Sequence, residues 1–297
     1  MHAENYNTKH MTTKIITFLA ALVFSAAGIS KAGAQTVWHD PEKAGFEVIQ
    51  NQEYDGEQRT NFYHRFPARA KGYVLDRIWN LACQSAGECI VFTTDAKQIT
   101  VRYTVTKRHA MPHMPATGVS GVDLYTHDRD GGEVWLAGKY SFSDTLTYRF
   151  NNIDIVNKAE NAQRYTLFLP LYNEVSWMEI GTEEGASFSF EPASKAKPIV
   201  AYGTSIGQGA CASRPGMAWS NILYRRLDVP VVNLGFSGSA YFEKEVVDMI
   251  SQIDAEIYLI DAMPNSSSLQ TEELRDTLTN AIRQLRAARP DTPIVLA

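Results

Sequence analysis

Between residues 46 and 190 the apolar positions of this chain recur at every second residue. Ile99, Val101, Tyr103 and Val105 alternate with Thr100, Arg102 and Thr104; side chains two apart on an extended backbone share a face, so one face of this segment is buried. The polar turn Asp95-Ala96-Lys97 separates it from a second apolar run at 90–94, and the pair predicts an antiparallel hairpin. Further short strands are predicted at 134–137, 148–150, 165–171, 175–180 and 188–190, with turns such as Asp130-Gly131-Gly132 and Thr182-Glu183-Glu184-Gly185 between them. Many short strands at this spacing predict a β-sandwich of the jelly-roll kind.

The pattern changes after Glu191-Pro192-Ala193-Ser194-Lys195-Ala196-Lys197-Pro198, a polar connector with a proline near each end. Continuous apolar runs at 199–202, 229–234, 255–260 and 293–297 then alternate with helical periodicity. Leu274, Leu278, Ala281, Ile282 and Leu285 define one amphipathic helix, opened by Thr271 with Glu272 and Glu273 in its first turn, where acidic groups meet the positive end of the helix dipole. Phe242, Val246, Val247 and Ile250 define a second helix, and residues 217–227 a third. Strands buried on both faces and separated by helices predict a parallel sheet. The expected organisation is a β-sandwich domain at 35–192 and an α/β domain at 193–297. The last apolar run reaches residue 297, and a core strand needs a covering element, so the sequence is expected to continue.

The first residues call for a different reading. Lys14 precedes the apolar run 15–27, and Ala32-Gly33-Ala34 has the small-residue pattern of a cleavage site, so residues 1–34 are expected to be a secretory signal peptide. Met11 is the better start for such a leader, which makes residues 1–10 an over-extended beginning. The run is too short and too rich in alanine to favour spanning a bilayer, and no later stretch approaches roughly 20 apolar residues. The expected location is periplasmic or secreted, without stable membrane insertion. The full 297-residue sequence is 44% hydrophobic and 21% charged, as in a soluble globular protein. Its formal charge is −5; without residues 1–34, which carry Lys9, Lys14, Lys31 and Glu4, 25 basic face 32 acidic side chains, a net of −7. With no basic stripe, nucleic acid is a poor partner. In an oxidising compartment Cys83 and Cys89 can close a small disulfide loop; the alternative is two buried thiols on neighbouring strands.

Candidate chemistry collects at three strand ends. In Pro198-Ile-Val-Ala-Tyr-Gly-Thr-Ser-Ile-Gly-Gln-Gly-Ala210 an apolar strand stops at Gly203 and delivers Ser205 into a glycine-rich turn ahead of a helix. Gly235 follows the second strand in Asn233-Leu234-Gly235-Phe236-Ser237-Gly238, and Asn265 follows the third in Asp261-Ala262-Met263-Pro264-Asn265. Parallel strands place these ends on one rim, where ligands of open α/β sheets collect. Acyl transfer needs a nucleophile and donors aimed at the developing oxyanion: Ser205 offers a hydroxyl and an N–H, Gly235 an N–H with no side chain in the way, and Asn265 an amide. A serine also needs a base, usually histidine, and the sequence has none after His127.

Tyr202-Gly203-Thr204-Ser205, Gly235 and Asn265 resemble the first three blocks of the SGNH, or GDSL-like, hydrolases. The string from Gly203 to Gly216 is similar to a bacterial branch that carries an upstream β-domain with a Gly-x-Asp-Leu-Tyr signature, matched by Gly121-Val122-Asp123-Leu124-Tyr125. Together the two resemblances cover about residues 45–297 and imply a β-sandwich followed by a flavodoxin-like hydrolase domain that cleaves esters, with acetyl groups on carbohydrate as substrates, and without cofactor or metal. Thr204 stands where the family has aspartate, and Asp261-Ala262-Met263-Pro264-Asn265 replaces Gly-x-Asn-Asp. The family's Asp-x-x-His block, which supplies the base, is expected beyond residue 297; residues 1–297 alone are then expected to be nearly inactive, because an unactivated serine hydroxyl is a weak nucleophile.

Blander readings stand beside these. Ser205 can be a helix cap, Gly235 a plain turn residue and Asn265 a loop cap. Arg214 can bind an acidic group of the substrate or hold a carbonyl or the sandwich. Cys211 lacks a patterned base and reads as a buried small hydrophobe. The glycine-rich turn lacks both Gly-x-Gly-x-x-Gly and a P-loop lysine, which argues against nucleotides. His109 and His113 have a metal-like spacing on a helix, but Pro112 and Pro115 make them loop residues. Asp123 and Tyr125 are expected to serve the domain contact or the turn. The rival to an esterase is a non-catalytic glycan-binding or scaffolding protein with a degenerate hydrolase domain.

Overall fold

The structure, a computed structural model, describes residues 35–128, 130–151, 153, 162–266 and 269–297; the expected leader at 1–34 lies outside the described residues. Thr36–Ala297 form one compact unit. Its first part holds two antiparallel sheets. One contains β1 (Thr36–His39), β4 (Gln98–Val105), β7 (Lys139–Ser141), β8 (Leu146–Asn151) and β10 (Val175–Glu183) in the order β1-β10-β4-β8-β7. The other contains β2 (Ile49–Gln50), β3 (Cys89–Thr94), β5 (Asp123–His127), β6 (Glu133–Leu136), β9 (Gln163–Phe168) and β11 (Phe188–Phe190) in the order β11-β3-β9-β5-β6, with β2 paired to β3. The alternating residues Val101, Tyr103, Leu124, Leu146, Leu167 and Met178 fill a common core, as the period of two requires.

The expected 90–105 hairpin does not form. β3 pairs with β2, β9 and β11, whereas β4 pairs with β8 and β10. The 95–97 turn therefore carries the chain from one sheet to the other. It is tied to the β10–β11 connection: the Ser187 N–H donates to Asp95 Oδ1 at 2.7 Å, the Lys97 N–H to Glu183 Oε1 at 2.6 Å, and Ala96 is buried. Alternation states which face is covered, not which strand lies alongside.

The second part is a parallel sheet of β12 (Ile199–Gly203), β13 (Val231–Gly235), β14 (Ile257–Asp261) and β15 (Ile294–Leu296), ordered β13-β12-β14-β15. The helices, in chain order, are α1 (Asp76–Ala82), α2 (Ala116–Val119), α3 (Ser205–Gln208), α4 (Trp219–Leu227), α5 (Lys244–Ser251), α6 (Met263–Ser266) and α7 (Thr271–Ala288). Gly203 is in register with Gly235 on one side and Asp261 on the other, so the three strands end level.

The boundary expected at 192/193 is not a packing boundary. Tyr54, Phe66, Val74, Ile78 and Trp79 share one cluster with Val200, Tyr202, Val246, Ile250 and Leu285. Ile78, Trp79 and Ala82 lie on the buried side of α1, and each large apolar side chain so buried is worth about 1.5–3 kcal/mol. Of the two readings of Cys83 and Cys89, the structure has the buried thiols and not the disulfide. Cys83 caps α1 inside this core, while Cys89 begins β3 against Tyr125 and Phe168; both are free and buried. Burial pushes the two thiols up to about 11 and about 12, the behaviour of inert packing groups. Cys211, expected to be buried, is exposed. Among the described residues, no helix is long and apolar enough to cross a membrane.

Candidate active site

The turn after β12 is shaped by close backbone approach. A Cβ on Gly203 would lie 2.9 Å from the Asp261 carbonyl oxygen, so only glycine lets β14 pass at that level. Thr204, buried, is the N-cap residue of α3 and makes no side-chain cap bond. Ser205 is half-buried at the first helical position, where the N–H has no intrahelical acceptor. Its carbonyl accepts the Tyr172 hydroxyl at 2.9 Å and the Ala210 N–H at 2.9 Å. Its hydroxyl has no hydrogen-bond partner among the described residues.

Buried amides fasten this turn to β13. Gln208 donates through Nε2 to Gln84 Oε1 and the Leu171 carbonyl, at 2.5 and 3.1 Å, and accepts the Ser237 N–H at 3.0 Å. Asn233 donates to the Gly207 carbonyl and Ser220 Oγ, both at 2.9 Å, and its Oδ1 accepts the Gly235 N–H at 2.9 Å. From the other side the buried Arg65 donates to the carbonyls of Asn233 and Gly235, each at 2.9 Å, and to those of Leu81 and Gln84. Burial brings this guanidinium down to about 10.

These bonds correct the expected role of Gly235. Its N–H is consumed by Asn233 and its carbonyl by Arg65, and a Cβ there would run into the backbone of Gly207 and Gln208. Gly235 is glycine so that α3 can pack against β13, and it does not aim a donor at the rim. The sequence reading did not weigh Gly238, on the loop that follows β13. It has φ of +66°, a conformation glycine adopts without strain, and its N–H makes no hydrogen bond among the described residues. The Asn265 amide, on α6, donates to the adjacent Ser239 carbonyl at 2.5 Å, so the structure brings Asn265 to the same loop. The loop is held in place by Tyr202, whose hydroxyl accepts the Phe242 N–H and donates to Glu243. The signal for Gly238 was legible: a second glycine in Gly235-Phe236-Ser237-Gly238, placed past the strand where a backbone N–H leaves the sheet.

Arg214 faces the sandwich. Its Nε lies 3.1 Å from Asp123 Oδ2, its guanidinium 4.1 Å over the Trp135 ring, and Nη2 is 3.4 Å from the Tyr125 hydroxyl. Asp123 also accepts the Trp135 Nε1–H at 2.5 Å and the Gly216 N–H at 3.0 Å, while Leu124 points into the sandwich core. The last three residues of the Gly-x-Asp-Leu-Tyr string thus open β5, and its alternate residues Asp123 and Tyr125 hold the loop after α3 at Arg214 and Gly216. A Cβ on Gly216 would come within 2.6 Å of Asp123 Oδ2. Burial raises the Asp123 carboxyl to about 6, against the opposing charge of Arg214. His109 and His113 lie in the loop before α2, and no group of three or more His, Cys, Asp or Glu among the described residues is placed to hold a metal ion.

Two family models match successive parts of the chain. Residues 36–188 match a family model described as the N-terminus of SGNH-hydrolase-type esterases, with the GxDLY signature, and residues 196–297 match the GDSL-like lipase/acylhydrolase family. Among solved structures the chain is similar to a candidate GDSL-like lipase from Bacteroides ovatus, at 29% identity and a TM-score of 0.77, covering 88% of this chain and 74% of that one. It shares its fold with a salicylyl-acyltransferase of a tetracycline biosynthetic pathway (18% identity, TM-score 0.63, 87% and 71% covered). A family two carbohydrate esterase from Cellvibrio japonicus is a more distant match (11%, 0.50, 89% and 78%). No curated protein matches the sequence.

Proposed function

The chain belongs to the SGNH-hydrolase-type esterases, and from that premise we propose that it is an exported serine esterase that removes acyl groups, acetyl among them, from carbohydrate. The observation that carries the reading is the unpartnered Ser205 hydroxyl at the level carboxyl rim of β12, β13 and β14, beside a loop with a free N–H at Gly238 and the amide of Asn265. Ser205 Oγ attacks the ester carbonyl carbon. The carbonyl oxygen takes up the negative charge and is met by the N–H groups of Ser205 and Gly238 and by the Asn265 amide; collapse of the intermediate expels the alcohol and leaves an acyl-serine, which water then hydrolyses. The resemblance gives the proton transfer to an Asp-x-x-His block, a string that does not occur in residues 1–297, and no residue described above is assigned that step.

Export follows from the leader-like segment at 1–34, and carbohydrate from the branch that the Gly203–Gly216 string resembles. The test is hydrolysis of p-nitrophenyl acetate by the complete gene product and by its Ser205→Ala variant. The expected result is loss of activity with unchanged folding. Full activity in the variant overturns the assignment of Ser205, and a folded parent without activity favours the non-catalytic glycan-binding alternative.

A further inference from the structure

The helix that begins with Ser205 is a single turn, Ser205–Gln208. A first turn fixes several dihedrals for one hydrogen bond, so it gains little from its own helix and depends on what the surrounding chain adds. Two planar peptide groups meet at the Ser205 Cα, and once both are fixed the direction of the Cα–Cβ bond is fixed with them. On one side the Thr204 carbonyl accepts the Gln208 N–H at 3.0 Å. On the other, the Ser205 carbonyl accepts three donors: the Ala210 N–H at 2.9 Å, the Gly209 N–H at 3.1 Å and the Tyr172 hydroxyl at 2.9 Å. A carbonyl has two lone pairs, so the phenol is not needed to satisfy it. Its effect is to hold the plane.

Of these four donors, Tyr172 alone precedes β12. It stands in the connection from β9 to β10, buried with Met114, Val119, Leu171 and Ala218. That connection is itself fixed: the Tyr172 N–H donates to the Val119 carbonyl at 3.0 Å, the Leu171 carbonyl accepts Gln208 Nε2 at 3.1 Å, and the Asn173 amide donates to Ser120 Oγ at 2.8 Å. Phenylalanine would fill the same apolar space, so the hydroxyl is the feature that needs a reason. Burial pushes it up to about 12, against the Ser237 side chain and the charge of Arg65, and it stays a donor throughout the neutral range.

We propose that Tyr172 is a positioning residue for acyl transfer: its hydroxyl fixes the peptide plane on the carbonyl side of Ser205 and so holds Oγ in the direction that attack requires. Tyr172 touches no reacting atom and acts through the Ser205 backbone. The first part of the chain thereby sets the geometry of a nucleophile that the second part carries. This role rests on the esterase reading of Ser205. Misplacement by about 1 Å can cost about a hundredfold in rate; loss of one donor among three is a smaller disturbance.

The test compares the complete gene product with its Tyr172→Phe variant by two readouts, each taken per folded molecule. One is kcat/KM for p-nitrophenyl acetate; the other is the rate at which diisopropyl fluorophosphate labels Ser205, a reaction in which Oγ displaces fluoride at phosphorus. Tyr172→Phe should lower both by about tenfold. Tyr54→Phe is the structural comparison. The Tyr54 hydroxyl likewise reaches from the first part of the chain to a backbone carbonyl of the second, that of Met249 at 3.0 Å, but on α5, and this variant should keep the parent rates. Parent rates in Tyr172→Phe overturn the proposal, as does an equal fall in Tyr54→Phe or a fall in kcat/KM with labelling unchanged. Ser205→Ala separates the proposal from the reading beneath it: turnover and labelling that need Ser205 and ignore Tyr172 remove the positioning role alone, whereas turnover that persists without Ser205 removes both.

Discussion

The rim of the parallel sheet and the junction between sheet and sandwich use the same kinds of residue in opposite ways. At the junction Asp123, Tyr125, Arg214 and Gly216 are turned on one another. At the rim, Gln208, Asn233 and Arg65 are spent on fixing the backbone, while the Ser205 hydroxyl and the Gly238 N–H are held still and left without partners among the described residues. Preorganised donors that meet charge only as it develops are what acyl transfer requires; a backbone N–H already engaged, as at Gly235, holds structure. Motif residues therefore divide by unspent hydrogen-bonding capacity, which a signature string does not reveal.

The largest expected effect comes from the rim. In the complete gene product, Ser205→Ala should lower kcat/KM for p-nitrophenyl acetate by about a thousandfold or more without moving the unfolding midpoint, since no contact of its hydroxyl is lost. The reverse pattern is expected at the junction. Asp123→Ala strands the Arg214 guanidinium and the Trp135 and Gly216 N–H groups, and should cost about 3 kcal/mol in urea unfolding, the low end for a broken buried pair because Arg214 is partly exposed. If Asp123→Ala left stability intact and abolished turnover, the division drawn between the two regions would be wrong. Asn265→Ala belongs to the rim and should lower kcat by about a hundredfold with little change in KM; a change confined to KM would make Asn265 a binding residue and no oxyanion donor.

Much of this was legible along the chain. Continuous apolar runs marked β12 to β15 to within two or three residues at each end, and the rim with Ser205 and Asn265 followed from parallel strands ending together. What was hidden is relational. Period two cannot tell a hairpin from a crossing between sheets, which is how β3 and β4 came to be paired on paper. Residues 54–83 sit among sandwich strands in sequence but give their apolar side chains to the parallel-sheet core, because a helix packs wherever an uncovered face remains. Spacing brought Cys83 and Cys89 close in sequence, while the helix and the strand between them sent the two thiols to different cores. Gly235 looked like a donor until Asn233, two residues earlier, was seen to take its N–H.

Glu88 sharpens the rule by breaking it. Its side chain is fully buried, its Oε1 accepts Gln52 at 3.0 Å, and its Oε2 has no partner among the described residues. Here capacity is unspent but out of reach, so it should appear as a cost in stability and not as chemistry. Burial raises the carboxyl to about 8, outweighing the Gln52 hydrogen bond and the charges of Arg59 and Arg65. Between the ordinary carboxyl range near 4.5 and about 8 the folded protein then holds a proton that the unfolded chain has released, so stability falls as pH rises through that window. Glu88→Gln keeps the shape and the acceptor for Gln52 but cannot ionise. The variant should match the parent near pH 4.5 and exceed it by on the order of 2 kcal/mol near pH 8, the scale of one buried unpaired charged acceptor. Urea midpoints measured across that range decide the matter: parallel pH profiles for parent and variant would show that Glu88 stays ionised in the fold, and that its second oxygen has found a partner.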